Sequence, residues 1–220
     1  MYNNIIQEKM YLSRVKIDKT RRSYYKFLSS AQVMHATIES CFDKEDNSRK
    51  LWRLDHFKNE YYILILSENE PNLQVISKQY GFEQLEGNEE TRDYKKVLEV
   101  LKNGQFWRFR LRANPVRSVK NFEGNVMERG KVLSHVTVNY QKKWLSDRAE
   151  KLGFEIKEFD IIQRDIKKFK RQNSTVTIGM VTYEGILEIR DIEIFKDSLI
   201  RGIGKAKAYG CGLLTLARVQ

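Results

Sequence analysis

The chain has 220 residues, room for one large or two small domains. Lys+Arg 40 against Asp+Glu 29 leave a formal net charge of +11, an excess that points to a polyanion or an anionic membrane surface as partner. No apolar run approaches the roughly 18 residues needed to cross a bilayer, and Cys41 and Cys211 give neither a disulfide framework nor a metal-ligand spacing.

The start, Met1-Tyr2-Asn3-Asn4-Ile5, lacks the charged and apolar regions of a signal peptide. His35, His56 and His135 are scattered, which argues against a zinc site. The expectation is a cytoplasmic protein with no metal or cofactor.

Residues 1–9 are polar and unpatterned and read as an extension. Met10 to Ile17 alternates apolar and polar positions, as a strand does. A basic turn follows, Lys19-Thr20-Arg21-Arg22-Ser23. Phe27, Leu28, Ala31, Met34, Ile38 and Phe42 then recur at helical spacing, which predicts one amphipathic helix from Tyr24 to about Phe42. Gln32 and His35 lie at the edge of its stripe. Arg49–Phe57 and Tyr61–Leu66 read as strands about a turn at Lys58-Asn59-Glu60. Pro71 opens a short helix through Gln79, and Gly81 stops it. The acidic stretch 83–94 reads as a loop. Lys95–Leu101 fits a helix or a strand; as a strand it completes β-α-β-β-α-β, the split βαβ of a ferredoxin-like or RRM-like domain, over residues 10–103.

The pattern then returns over residues 104–220. Gln105 to Arg112 is a strand with Phe106, Arg108, Arg110 and Arg112 on one face and Trp107, Phe109 and Leu111 on the other. Pro115 ends it, and a polar excursion runs from Arg117 to His135. Asn139–Leu152 is a helix capped by Gly153. Phe154–Ile162 and Thr175–Ile189 are strands, Asp191 caps a helix to about Arg201, and Leu213–Leu216 is the last strand. The expected fold class is therefore α+β, with two tandem ferredoxin-like βαββαβ domains.

Three basic clusters fall in the second half. Between its middle strands, Arg164 to Gln172 carries Arg164, Lys167, Lys168, Lys170 and Arg171 against the single acid Asp165. On a hairpin tip these make a basic finger suited to the phosphates that line the deep, narrow major groove of A-form RNA. The second cluster is the row Arg108, Arg110 and Arg112. The third is the loop Gly202-Ile203-Gly204-Lys205-Ala206-Lys207-Ala208-Tyr209-Gly210-Cys211-Gly212, where Gly202, Gly204, Gly210 and Gly212 offer backbone amides to an anion beside Lys205 and Lys207. It is neither a P-loop nor a dinucleotide fingerprint, since no Gly-Lys-Ser/Thr follows and it precedes a strand rather than opening a helix. In the first half, His35 follows the basic turn of Arg21 and Arg22, and histidine is a residue type that can move protons at neutral pH.

Taken together, Met10-Tyr11-Leu12-Ser13-Arg14-Val15, Met34-His35, Phe109-Arg110-Leu111-Arg112-Ala113-Asn114-Pro115, Tyr183-Glu184-Gly185-Ile186-Leu187 and the glycine loop with Leu213-Leu214 resemble the CasE-type CRISPR-associated endoribonucleases, in matching order from residue 10 to 218. The resemblance implies two ferredoxin-like domains. It also implies a metal-independent nuclease that binds the stem-loop of CRISPR repeats and cuts precursor CRISPR RNA at the 3′ base of the hairpin. The 2′-hydroxyl attacks there, leaving a 2′,3′-cyclic phosphate and a 5′-hydroxyl. Such enzymes remain on the product within the Cascade complex, with other Cascade subunits as partners, and a monomer is expected outside it. His35 matches the family's catalytic histidine, as acid or base. Arg21, Arg22, the arginine row, the finger and the glycine loop are the expected RNA-binding residues.

One departure stands out. Family members can carry a tyrosine one turn before the histidine, where this chain has Gln32, a poor proton donor. Tyr24 and Tyr25 lie two to three helical turns earlier, too far to substitute directly. The alternative reading is thus a non-catalytic subunit that holds the same hairpin.

Overall fold

The computed structural model describes residues 9–82, 86–122, 125–171 and 174–219. The first eight residues of the expected extension lie outside them. The chain divides into two compact units, Met1–Leu101 with Ala208–Gly210, and Lys102–Lys207 with Cys211–Gln220. Each has the α+β, ferredoxin-like arrangement.

In the first unit the order is β1 (Tyr11–Ile17), α1 (Ser23–Ser29), α2 (Ala31–Glu39), β2 (Leu51–Phe57), β3 (Glu60–Ser67), α3 (Gln74–Tyr80), β4 (Glu89–Asp93) and α4 (Lys95–Val100). The strands form one antiparallel sheet in the order β2-β3-β1-β4. Lys58 and Asn59 join β2 to β3 with positive φ at both positions, the twist that a two-residue hairpin requires. Val15, Ile17, Trp52, Ile63 and Ile65 of the sheet pack with Phe27, Met34, Ile38 and Ile76 of the helices in a buried core.

Two expectations are corrected here. The helix predicted over Tyr24 to Phe42 is two helices, broken at Ser30. Ser30 has extended backbone (φ −114, ψ 108), and its hydroxyl accepts from the Val33 amide at 3.2 Å to cap α2. The apolar stripe passes across this break without interruption. The closing strand is β4, inside the stretch read as an acidic loop, while Lys95–Val100 is helical. Among the described residues β4 pairs only with β1, at the edge of the sheet. Charged side chains suit an edge: Arg14 pairs with Glu90 at 2.9 Å and Ser13 shares a hydroxyl hydrogen bond with Thr91.

The second unit runs β5 (Phe106–Ala113), β6 (Val116–Phe122), β7 (Asn125–Ser134), α5 (Val138–Ala149), β8 (Phe154–Arg171), β9 (Ser174–Ile189), α6 (Ile192–Arg201) and β10 (Leu214–Arg218). The sheet order is β10-β5-β9-β8, the same permutation as in the first unit. Phe109, Leu111, Trp144, Leu145, Phe154, Tyr183 and Phe195 are buried in it. Asp191 caps α6 by accepting from the amides of Glu193 and Ile194. Gly153 ends the helical segment in the left-handed conformation. The polar excursion from Arg117 to His135 is largely the antiparallel hairpin β6–β7.

β8 and β9 stay paired from Phe154↔Ile189 to Arg171↔Ser174, whereas β5 pairs with β9 only as far as Val181. The segment from Asp165 onward therefore leaves the sheet as a two-stranded ribbon, roughly 20 Å long at the usual rise per residue. No described helix is long and apolar enough to cross a membrane.

Candidate active site and nucleic-acid interface

His35 sits on α2, and its i+4 neighbour on the same helix face is Glu39. The His35 Nδ1 atom is buried and has no hydrogen-bond partner among the described residues. Glu39 Oε1 lies 3.7 Å from it, an ion-pair distance for a protonated ring but too long for a hydrogen bond. The side chain as a whole is 37% exposed.

Behind Glu39 is a buried cation. Lys50, with its side chain 4% exposed, lies 3.7 Å from Glu39 Oε2 and 3.4 Å from Asp46 Oδ1. Its Nζ donates to the Asp46 carbonyl at 2.5 Å and rests over the Phe42 ring. Burial alone would raise the Asp46 carboxyl. Hydrogen bonds from Ser48 and Asn69 and the Lys50 charge outweigh it and bring Asp46 down to about 2. His35, Glu39, Lys50 and Asp46 thus alternate in charge when the histidine is protonated.

The other neighbour of His35 comes from the far end of the chain. The Tyr209 ring meets the imidazole edge-on, with centroids 6.2 Å apart and planes at 62°. Tyr209 ends a short 3-10 turn, Lys207–Tyr209, and the next residue, Gly210, has φ +80. Gly210 lies against the buried Trp52 of β2.

Other candidates for proton transfer are withdrawn from it. Tyr24 is 8% exposed, and burial together with a hydrogen bond to Tyr61 raises it to about 12. Cys41 and Cys211 are both free and buried, and burial pushes each thiol up to about 12, so neither is a thiolate near neutrality. Gln32 is exposed on α2. Among the described residues, no group of three or more His, Cys, Asp or Glu side chains is gathered as a metal would need.

The expected RNA-binding residues fall into two kinds. Arg22, Arg108, Lys168, Gly204 and Lys205 are exposed, and Lys167, Lys207 and Gly202 are half-buried. The side chains of Lys170 and Arg171 lie outside those described, but their backbone continues β8 along the ribbon. Arg21 is tied down, donating to the Lys78 carbonyl at 2.7 Å.

The arginine row is not one open surface. Arg110 is ion-paired with Glu184. Arg112, 7% exposed, is paired with Asp165 at 2.5 Å where the ribbon leaves the sheet. Strand β5 is flanked by β10 and β9, so alternation alone does not make its polar face a free one. The glycine loop divides in the same way. Gly210 and Gly212 are buried, the Gly212 amide donates to the Arg112 carbonyl at 2.7 Å, and its carbonyl accepts from Ile203 at 2.9 Å. These two glycines shape the loop, and the exposed part is Gly204-Lys205.

Glu39, Lys50 and Tyr209 were absent from the sequence-derived site. The i, i+4 spacing of His35 and Glu39 was a usable signal. For Lys50 and Tyr209 there was none, because each arrives by tertiary closure.

Against known proteins, a family described as "CRISPR associated protein" matches residues 10–218. The chain is 28% identical over 225 residues to the CRISPR-associated endoribonuclease Cse3 of Thermus thermophilus, covering 94% of this chain and 100% of that protein. It is 32% identical over 112 residues to the CRISPR system Cascade subunit CasE of Escherichia coli, covering 50% of this chain and 56% of that protein. A solved structure of Thermus thermophilus Cse3, bound to an RNA representing a pre-cleavage complex, superposes with a TM-score of 0.77 at 27% identity, over 95% of this chain and 99% of that one.

Proposed function

The chain belongs to the CRISPR-associated protein family as a CasE-type endoribonuclease, and we propose that it binds the stem-loop of CRISPR repeats and cuts precursor CRISPR RNA at the 3′ base of the hairpin. The 2′-hydroxyl upstream of the cut attacks the adjacent phosphorus. The bond to the 5′ oxygen breaks, leaving a 2′,3′-cyclic phosphate and a 5′-hydroxyl. One proton leaves the attacking hydroxyl and one reaches the departing oxygen, and no metal takes part. The protein then stays on its product as a Cascade subunit, in the cytoplasm.

His35 makes one of the two proton transfers. Such a transfer contributes about 10²- to 10⁴-fold to rate. In-line geometry and compensation of the phosphorane charge supply much of the remainder. Arg22, Arg108, Lys167, Lys168, Lys170, Arg171, Lys205 and Lys207 hold the RNA, with the β8–β9 ribbon in its deep groove. Arg112, Gly210 and Gly212 are left out because they are buried in the fold.

The observation that carries this reading is a histidine with one nitrogen buried and its side chain 37% exposed, in a chain similar along its length to an RNA-bound nuclease. The test is a labelled stem-loop repeat incubated with the protein in excess EDTA, beside an RNA with a 2′-deoxy substitution at the cut. A single cut, blocked by the substitution and lost in His35→Ala while hairpin binding persists, is expected. Exposed Gln32 favours one other reading, a hairpin-binding subunit without cleavage. Tight, hairpin-specific binding with no cut over long incubation would establish that instead.

A further inference from the structure

The catalytic reading requires the imidazole of His35 to present one edge to a phosphate in a fixed orientation. A buried hydrogen bond to the other ring nitrogen usually fixes a catalytic histidine. Here, among the described residues, Nδ1 is buried without a hydrogen-bond partner, and Glu39 stands off at 3.7 Å. A hydrogen bond at Nδ1 therefore does not hold the ring.

Among the described residues, one aromatic ring contacts it. Tyr209 packs edge-to-face on His35, a geometry that aromatic rings favour. Its backbone is constrained: Tyr209 closes the 3-10 turn, and Gly210 follows, with φ +80 against the buried Trp52, which is 3% exposed. We infer that Tyr209 is a positioning residue, whose ring fixes the orientation of the His35 imidazole through their edge-to-face contact. The inference rests on the proposed function of His35 and adds to it a group from the opposite end of the chain.

The inference assigns the role to the ring and not to the hydroxyl, which yields a discriminating series. In Tyr209→Ala the single-turnover cleavage rate should fall by about a hundredfold, the cost of a misplaced reacting group. Hairpin Kd and Tm should stay near wild type. Tyr209→Phe should restore the rate. A wild-type rate in Tyr209→Ala overturns the inference. So does a rate loss matched by an equal loss of binding or folding, and so does a Tyr209→Phe as slow as Tyr209→Ala.

A second readout does not depend on cleavage. The imidazole proton signals of His35 in the RNA-free protein should move in Tyr209→Ala and return in Tyr209→Phe. Unmoved signals in Tyr209→Ala overturn the contact itself. If wild type cuts no RNA, the proposed function fails, while these signals still judge the contact.

Discussion

Gly210 lies so close to Trp52 that a Cβ on the glycine would sit 2.7 Å from the indole Cζ3 atom, in a backbone with φ +80. Two independent costs therefore oppose any other residue there, steric overlap with a buried ring and a left-handed conformation. Gly210→Ala should lower stability by about 1–3 kcal/mol. It should also slow cleavage by more than it weakens hairpin binding, because the displaced residue is the neighbour of Tyr209. Urea unfolding and single-turnover cleavage beside hairpin Kd check this; an unchanged rate would separate the loop from the site.

The charge row behind His35 makes stability depend on acid. Asp46 has a folded-state value of about 2, below its unfolded value. As pH falls, the unfolded chain therefore takes up the proton first. The stabilisation is complete above pH ~4 and is lost as pH drops through about 2. Asp46→Asn should cost about 2 kcal/mol at neutral pH and flatten that part of the stability curve. Lys50→Met, which leaves Asp46 without its buried cation, should cost about 3 kcal/mol. Chemical denaturation between pH 2 and 7 reads both.

Ribbon and row should behave differently under mutation. Changing Lys167, Lys168, Lys170 and Arg171 together to alanine should weaken hairpin binding. The slope of log affinity against log salt should fall by about 0.7 to 0.9 for each phosphate that is no longer neutralised. Arg112→Ala leaves Asp165 without its buried partner and empties a packed site, so it should act on Tm. Fluorescence titrations from low to high salt, beside thermal melts, distinguish the two. A salt slope unmoved by the quadruple substitution would place the RNA elsewhere.

Ser30→Ala removes the cap of the helix that carries His35. The expected loss is about 1 kcal/mol, measured by denaturation, with hydrogen exchange accelerating in the first turn of α2 rather than throughout it.

Much of this fold was readable in the sequence because two physical periods dominate it. Strands such as Gln105–Arg112 alternate, and helices such as 139–149 repeat on one side. What escaped had other causes. Ser30 breaks a helix whose apolar stripe runs straight through the break, so periodicity carries no mark of it. Among the described residues β4 pairs on one side only, and an edge strand tolerates the charges that made Glu89–Asp93 look like a loop. The lysines of the finger were legible as a run of charge. The arginine row was legible too, but its partners Glu184 and Asp165 were not, since cross-strand register decides who faces whom. His35 was found through its motif. Lys50 and Tyr209 needed the chain to be folded before they stood near it.

The membership of Ala208–Gly210 in the first unit also bears on how the protein is made. A ribosome adds about 5–20 residues per second, so on the order of ten seconds separate the synthesis of His35 from that of Tyr209. Through that interval the nascent chain already holds the helix bearing its histidine but lacks the last piece of that unit. A nuclease built this way stays unfinished until Tyr209 itself has been made.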